Sequence, residues 1–148
     1  MAVDLSRLIP APMALLGGAK IFRRQTQPLD IPALVRRGLP YSSYDALAGA
    51  LGVRGSDLAA IIGVAPRTLA RRKLARRLSP VESDRLYRVA HIMALTAETL
   101  GSLDKARVWL YQENRALGGN PPFSLLDTEI GARLVEEVLQ RINHGIYS

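Results

Sequence analysis

Six basic side chains fall within eleven residues: Arg67, Arg71, Arg72, Lys73, Arg76 and Arg77, with Thr68 among them. Such a cluster can meet a polyanion. Arginine can donate two bonds to guanine O6 and N7, whereas a bond to phosphate adds affinity without sequence information. On a helix lying in the major groove, side chains near the N-terminus reach base edges. Arg67, Thr68 and Arg71 are therefore the expected base readers. Arg72, Lys73, Arg76 and Arg77 are the expected phosphate contacts. The alternative is a solvated basic face.

Catalytic chemistry is poorly supplied. There is no cysteine, which removes disulfides and thiolate chemistry and fits a reducing cytoplasm. The two histidines, His91 and His144, stand far apart. No metal site or cofactor is expected. No phosphate-binding loop or dinucleotide fingerprint occurs. Thr128-Glu129 reads as a helix-capping pair, and no acid or histidine stands at a spacing that would make Glu129 catalytic. An enzyme is the weakest function class.

Charge divides the chain. Residues 1–101 carry 15 basic and 7 acidic side chains, net +8; residues 102–148 carry 5 and 6, net −1. A basic front half implies nucleic acid, and a near-neutral back half implies a different task. Residues 8–19 are mostly apolar, but Pro10, Pro12 and Asp4 argue against a secretion leader. A mobile arm or a short helix packed on the domain is expected there. No run approaches the ~20 apolar residues of a membrane span, so no membrane partner is expected.

The elements that must position these residues are helices, since strand alternation is nearly absent. Asp30 is placed to cap a short helix containing Pro32 and closed by Gly38. Ser42 or Ser43 would cap a second over residues 44–51, closed by Gly52. Ser56 would cap a third over 57–62, closed by Gly63, and Ala65-Pro66 opens a fourth running to about Arg76. Ser79-Pro80-Val81-Glu82 is a capping box with proline at the first helical position. It starts a long helix to about Leu100, with Leu86, Val89, Ala90, Met93, Ala97 and Leu100 as its apolar stripe. Gly101 ends that helix and Ser102 caps one over 103–116. Leu117-Gly118-Gly119-Asn120-Pro121-Pro122 forces a break. A turn at 123–126 precedes a last helix, begun by Thr128-Glu129. There Ile130, Leu134, Val138 and Ile142 repeat every fourth residue.

The third and fourth helices fit a helix-turn-helix. Ala59 is the small residue that lets the helices cross, and Gly63 supplies the positive φ of the turn. Leu58, Ile62, Val64 and Leu69 are the apolar anchors. Arg72 stands where a further apolar anchor is common, which leaves Leu74 as the candidate for that role.

Residues 78–88 read LSPVESDRLYR. They are followed by Trp109-Leu110, Asn114, Ala116-Leu117-Gly118-Gly119, Pro122, Leu125-Leu126, Thr128-Glu129, Gly131, Arg141-Ile142 and Gly145-Ile146-Tyr147-Ser148. This series resembles the toxin-binding domain of the Xre/MbcA/ParS antitoxins, partners of RES-domain toxins in bacterial toxin–antitoxin pairs. The resemblance implies an all-helical protein held in a stable complex with a toxin that consumes NAD. It also implies a blocked toxin active site and repression of the antitoxin's own promoter. The toxin-binding candidates are Trp109, Asn114, Leu117, Gly118, Gly119, Thr128, Glu129, Arg141, Gly145, Ile146, Tyr147 and Ser148.

The expected architecture is all-α: an arm over 1–28, a helix-turn-helix region over 29–78 and a toxin-binding or dimerisation domain over 79–148. The expected partners are a RES-domain toxin, duplex operator DNA and a second copy of the chain, all in the cytoplasm. Other readings of the same residues stay open. Trp109 shares helical spacing with Leu103, Ala106 and Leu110 and fits a core. Leu117-Gly118-Gly119 fits a plain helix stop. His144 fits a helix-end cation, and His91 a helix-surface residue. Ile146-Tyr147 is an apolar chain end that calls for burial on its own domain, on a second copy or in the toxin's cleft. A dimeric repressor with no toxin partner is the competing function.

Overall fold

A capped helix of 21 residues, Pro80–Leu100, runs through the middle of the protein, and five of the other helices pack on it. The computed structural model describes residues 11–22 and 27–145. Its helices are α1 (Pro12–Leu15), α2 (Ile31–Arg37), α3 (Tyr41–Leu51), α4 (Gly55–Ile61), α5 (Pro66–Ala75), α6 (Pro80–Leu100), α7 (Leu103–Tyr111) and α8 (Glu129–Asn143). Single 3-10 turns at Gly18–Lys20, Pro28–Asp30, Arg115–Leu117 and Pro122–Leu125 link them. Among the described residues there is no strand, only one antiparallel bridge between Pro40 and Arg77. The all-α architecture is therefore as expected, with the helix-turn-helix ahead of the C-terminal helices. Ile146, Tyr147 and Ser148 fall outside the described residues.

The central helix forms where its sequence directs. Ser79 Oγ accepts from the Glu82 N–H at 3.2 Å, and the Glu82 carboxylate accepts from the Ser79 N–H at 2.8 Å. This reciprocal pair satisfies two N-terminal donors that the helix itself cannot. Leu86, Val89, Ala90, Met93 and Ala97 are buried, as the stripe requires. Ile92, Ala94 and Thr96 are buried too, because α1, α2 and α3 pack on α6 as well as α7 and α8. The Thr96 hydroxyl is satisfied by donating to Ile92 O at 2.6 Å. Leu15 and Leu16 enter the same core, so α1 is a short helix packed on the domain.

Several helix boundaries differ from expectation. The Asp30 carboxylate accepts from the Gln27 N–H at 2.9 Å; it caps the 3-10 turn before α2, not α2 itself. Helix α3 starts three residues early, at Tyr41, with Pro40 as its N-cap and no serine cap. Its first N–H is instead met by Arg76 O at 3.1 Å, and Ser43 is buried. Helix α4 starts at Gly55, placing Ser56 inside it. Helix α7 stops at Tyr111 rather than near Ala116. Gln112 turns extended, and Asn114 accepts from the Ala116 N–H at 3.0 Å, capping a separate turn. Asparagine side chains compete for backbone donors in this way.

The last helix is rotated from its simple repeat. Val138 is buried and Ile142 packs on the core, but Ile130 is 75% and Leu134 45% exposed. The buried face is Gly131, Ala132, Val135, Val138 and Leu139. A four-residue repeat drifts about 40° per step on a 3.6-residue helix, so only part of it can face inward. Gly131 fixes the phase: a Cβ there would run into the Leu125 carbonyl, so this edge lies directly on the preceding turn.

Candidate DNA and protein interfaces

The helix-turn-helix closes as its small residues require. Leu58 and Ile62 are wholly buried, Ala59 and Val64 nearly so, and Leu69 packs on the core from the partly buried side. Gly63 takes φ 72° at the turn. Arg85 from α6 donates to Ile62 O at 3.2 Å and braces the same turn. Tyr44 donates its hydroxyl to Gly55 O at the start of α4. Burial is the main cause that pushes the Tyr44 phenol up to about 12.

Helix α5 presents Arg67 and Arg71 exposed, one turn apart, with Thr68 half-buried between them. Arg71 Nη2 lies 3.4 Å from Thr68 Oγ1, a weak contact that leaves the guanidinium fork open. Lys73 and Arg76 are also exposed. Two cations expected at phosphate are bonded to other groups of the protein. Arg72 Nε and Nη2 donate to the two Glu82 carboxylate oxygens at 2.8 and 3.3 Å. Arg77 Nη1 donates to the carbonyls of Arg37 and Gly38, both at 3.2 Å. Leu74 is 86% exposed and anchors nothing. The position where an apolar anchor is common is held by an ion pair.

Glu82 thus serves both Ser79 and Arg72. Only 10% of its side chain is exposed. Burial pushes its carboxyl up, but the Arg72 and Ser79 bonds and the Arg72 charge outweigh this and hold it below its ordinary value.

The C-terminal candidates separate into framework and surface. Leu117 is buried and Asn114 caps the turn that presents Gly118 and Gly119, both exposed with φ 68° and 83°. Thr128 Oγ1 accepts from the Gly131 N–H at 2.9 Å and caps α8. Glu129 is exposed and pairs with Arg133 at 3.3 Å; Arg141 and Gly145 are also exposed. Trp109 packs on the core from one side and on the other lines a groove of about 380 Å³ with Leu100, Asp104, Lys105, Val108 and Gln112.

Sequence reasoning missed the outward Ile130 and Leu134, the Arg72–Glu82 pair and three arginine cross-ties. Arg85 reaches Ile62 O, Arg88 reaches Leu126 O at 3.3 Å and Arg107 reaches Ala50 O at 2.7 Å. Each spans more than twenty residues, so no local spacing announces it. The last joins α7 to the end of α3. His91 Nε2 lies 3.6 Å from Glu136 Oε1, between α6 and α8.

Two family models match consecutive parts of the chain, and they meet inside α6. Residues 30–91 match the family model of an antitoxin Xre-like helix-turn-helix domain, and residues 95–145 that of the antitoxin Xre/MbcA/ParS C-terminal toxin-binding domain. The chain is 33% identical over 118 residues to a protein named Antitoxin Xre from Photorhabdus laumondii, covering 78% of this chain and 80% of that one. A protein of the same name from Yersinia enterocolitica is 28% identical over 116 residues, 77% and 78% of the two chains. Another from Pseudomonas putida is 41% identical over 64 residues, 43% and 40%.

Proposed function

Since the chain belongs to the Xre antitoxin family, we propose that it neutralises a RES-domain toxin and represses the promoter of its own operon. It is an antitoxin with a helix-turn-helix domain and a toxin-binding domain, of a regulatory and not an enzymatic family. In the proposed scheme the toxin consumes NAD, and the C-terminal domain covers its active site. The exposed surface around Gly118, Gly119, Glu129 and Arg141 docks on the toxin, together with Ile130 and Leu134. The segment 145–148 enters or borders the cleft, where Ile146 and Tyr147 supply apolar area. Two copies bind a palindromic operator in the cytoplasm, with Arg67, Thr68 and Arg71 on base edges.

The observation that carries this reading is the junction at α6. Its first turn holds α5 through Arg72–Glu82, and the same helix packs against α7 and α8. DNA-binding and toxin-binding parts therefore share one helix. The test is co-expression with the product of the adjacent gene, followed by native mass measurement and gel shift on the upstream DNA. A complex that shifts this DNA is expected. Absence of any complex would leave a plain repressor.

A further inference from the structure

We propose that Arg36 and Arg37, at the end of α2, form a second phosphate clamp for duplex DNA beside the recognition helix. The proposal rests on the DNA-binding reading of α5 and extends it to α2, a helix outside the α4–α5 pair.

The clamp is positioned by backbone. The Leu78 N–H donates to Leu39 O at 2.9 Å, and the Tyr41 N–H donates to Arg76 O at 3.1 Å. Pro40 and Arg77 form the antiparallel bridge between these bonds. Arg77 Nη1 reaches past it to the carbonyls of Arg37 and Gly38. Gly38 makes this approach possible: its φ is 92°, and a Cβ there would run into Leu78 O. The C-terminal end of α2 is thereby fixed against the C-terminal end of α5.

Charge gathers at that seam. Arg36 and Arg37 fill the last turn of α2, and Lys73 and Arg76 stand at the end of α5; all four are exposed. Among the described residues no carboxylate lies within ion-pair distance of them. Arg76 also has φ 61°, the one non-glycine residue with positive φ among the described residues. Exposed cations on two helix ends joined by these bonds suit a run of phosphates, whose neutralisation releases counterions. Phosphate contacts of this kind set register on the duplex and carry no sequence preference.

The substitutions spare the seam, because Arg37 contributes its carbonyl and not its side chain to Arg77. The full chain is measured by fluorescence anisotropy on two labelled duplexes of equal length across 50–200 mM KCl, a range over which phosphate contacts show their salt dependence. One duplex comes from directly upstream of its own gene, and the other is the same sequence scrambled. The Arg36→Ala/Arg37→Ala variant is expected to bind both more weakly by the same factor. Its slope of log K against log salt should be shallower by about 1–2 per protomer. The Arg36→Lys/Arg37→Lys variant should keep the parent slope, and Arg36→Gln/Arg37→Gln gives a second neutral pair if the alanine form folds poorly. A folded neutral variant with parental affinity and slope overturns the clamp, as does a loss confined to the upstream duplex. A merely structural role for the two arginines would lower thermal stability and leave the slope unchanged. If the parent chain binds neither duplex, the DNA reading of α5 falls and the clamp falls with it.

Discussion

Arg72 and Glu82 face each other across the turn between α5 and α6, with two guanidinium nitrogens on two carboxylate oxygens at 2.8 and 3.3 Å. The same carboxylate closes the capping box of α6. Geometry of this bidentate kind orients as well as attracts, so the pair ties α5 to the first turn of α6.

The pH dependence follows from the sign of the Glu82 shift. A carboxyl held below its ordinary value of 4.5 in the folded state stabilises fully above that value, and the contribution is lost as pH falls through the lower folded value. Glu82→Gln should therefore lower the melting temperature at pH 7, and the gap to the parent should shrink as pH is taken from 5 towards 3, about the range where carboxylates titrate. A gap that stays constant with pH would show that the charge of Glu82 does not stabilise the fold. Ser79→Ala should cost about 1 kcal/mol at pH 7 through loss of the cap.

Two helical glycines should respond in opposite directions. Gly131 faces the Leu125 carbonyl with no room for a methyl group, whereas Gly49 in α3 has open space around it. Gly131→Ala should destabilise by roughly 1–3 kcal/mol through overpacking. Gly49→Ala should stabilise by about 0.5–1 kcal/mol through helix propensity. Denaturant melts of both variants check the pair, and equal effects would contradict the close approach at Gly131.

The recognition helix should separate affinity from specificity. Arg67→Ala or Arg71→Ala should weaken operator binding by about 1–3 kcal/mol while leaving non-specific DNA nearly unchanged. Arg76→Ala should weaken all DNA alike and flatten the salt dependence. Arg72→Ala should act through stability, because its guanidinium is engaged by Glu82. Gel shifts on operator and scrambled DNA, paired with melts, distinguish the three behaviours.

On α8 the outward apolar residues should matter to the toxin and not to the fold. Ile130→Glu should change stability by no more than about 0.5 kcal/mol, as exposed substitutions do, yet weaken capture of the partner toxin. Val135→Glu, at a buried site of the same helix, should unfold the domain. Pull-down of the toxin by a folded Ile130→Glu variant at parental yield would remove this face from the interface.

What was legible in the sequence was local. Ser79, Ser102 and Thr128 each cap a helix by accepting an N–H three residues on, and that spacing is printed in the chain. The helix-turn-helix was legible for the same reason, through Ala59, Gly63 and the anchors around them. Arg72 was visible as a departure and Glu82 as a capping acid, but their meeting depends on the tight turn at Arg76, where no glycine signals a left-handed residue. The phase of α8 depends on Gly131 meeting Leu125 O, a contact that the run of Ile130, Leu134, Val138 and Ile142 does not encode. Asn114 ended α7 early because its side chain formed a local cap. Arg36 and Arg37 lie 40 residues from their neighbours across the seam, beyond the reach of any periodicity.

The most direct measurement is NAD consumption by the purified partner toxin, titrated with the full-length chain. Loss of activity that is complete at a fixed molar ratio is the expected result, with a chain ending at His144 binding the toxin but inhibiting it less. Undiminished NAD consumption at a large excess of the folded chain would contradict neutralisation through the toxin's active site.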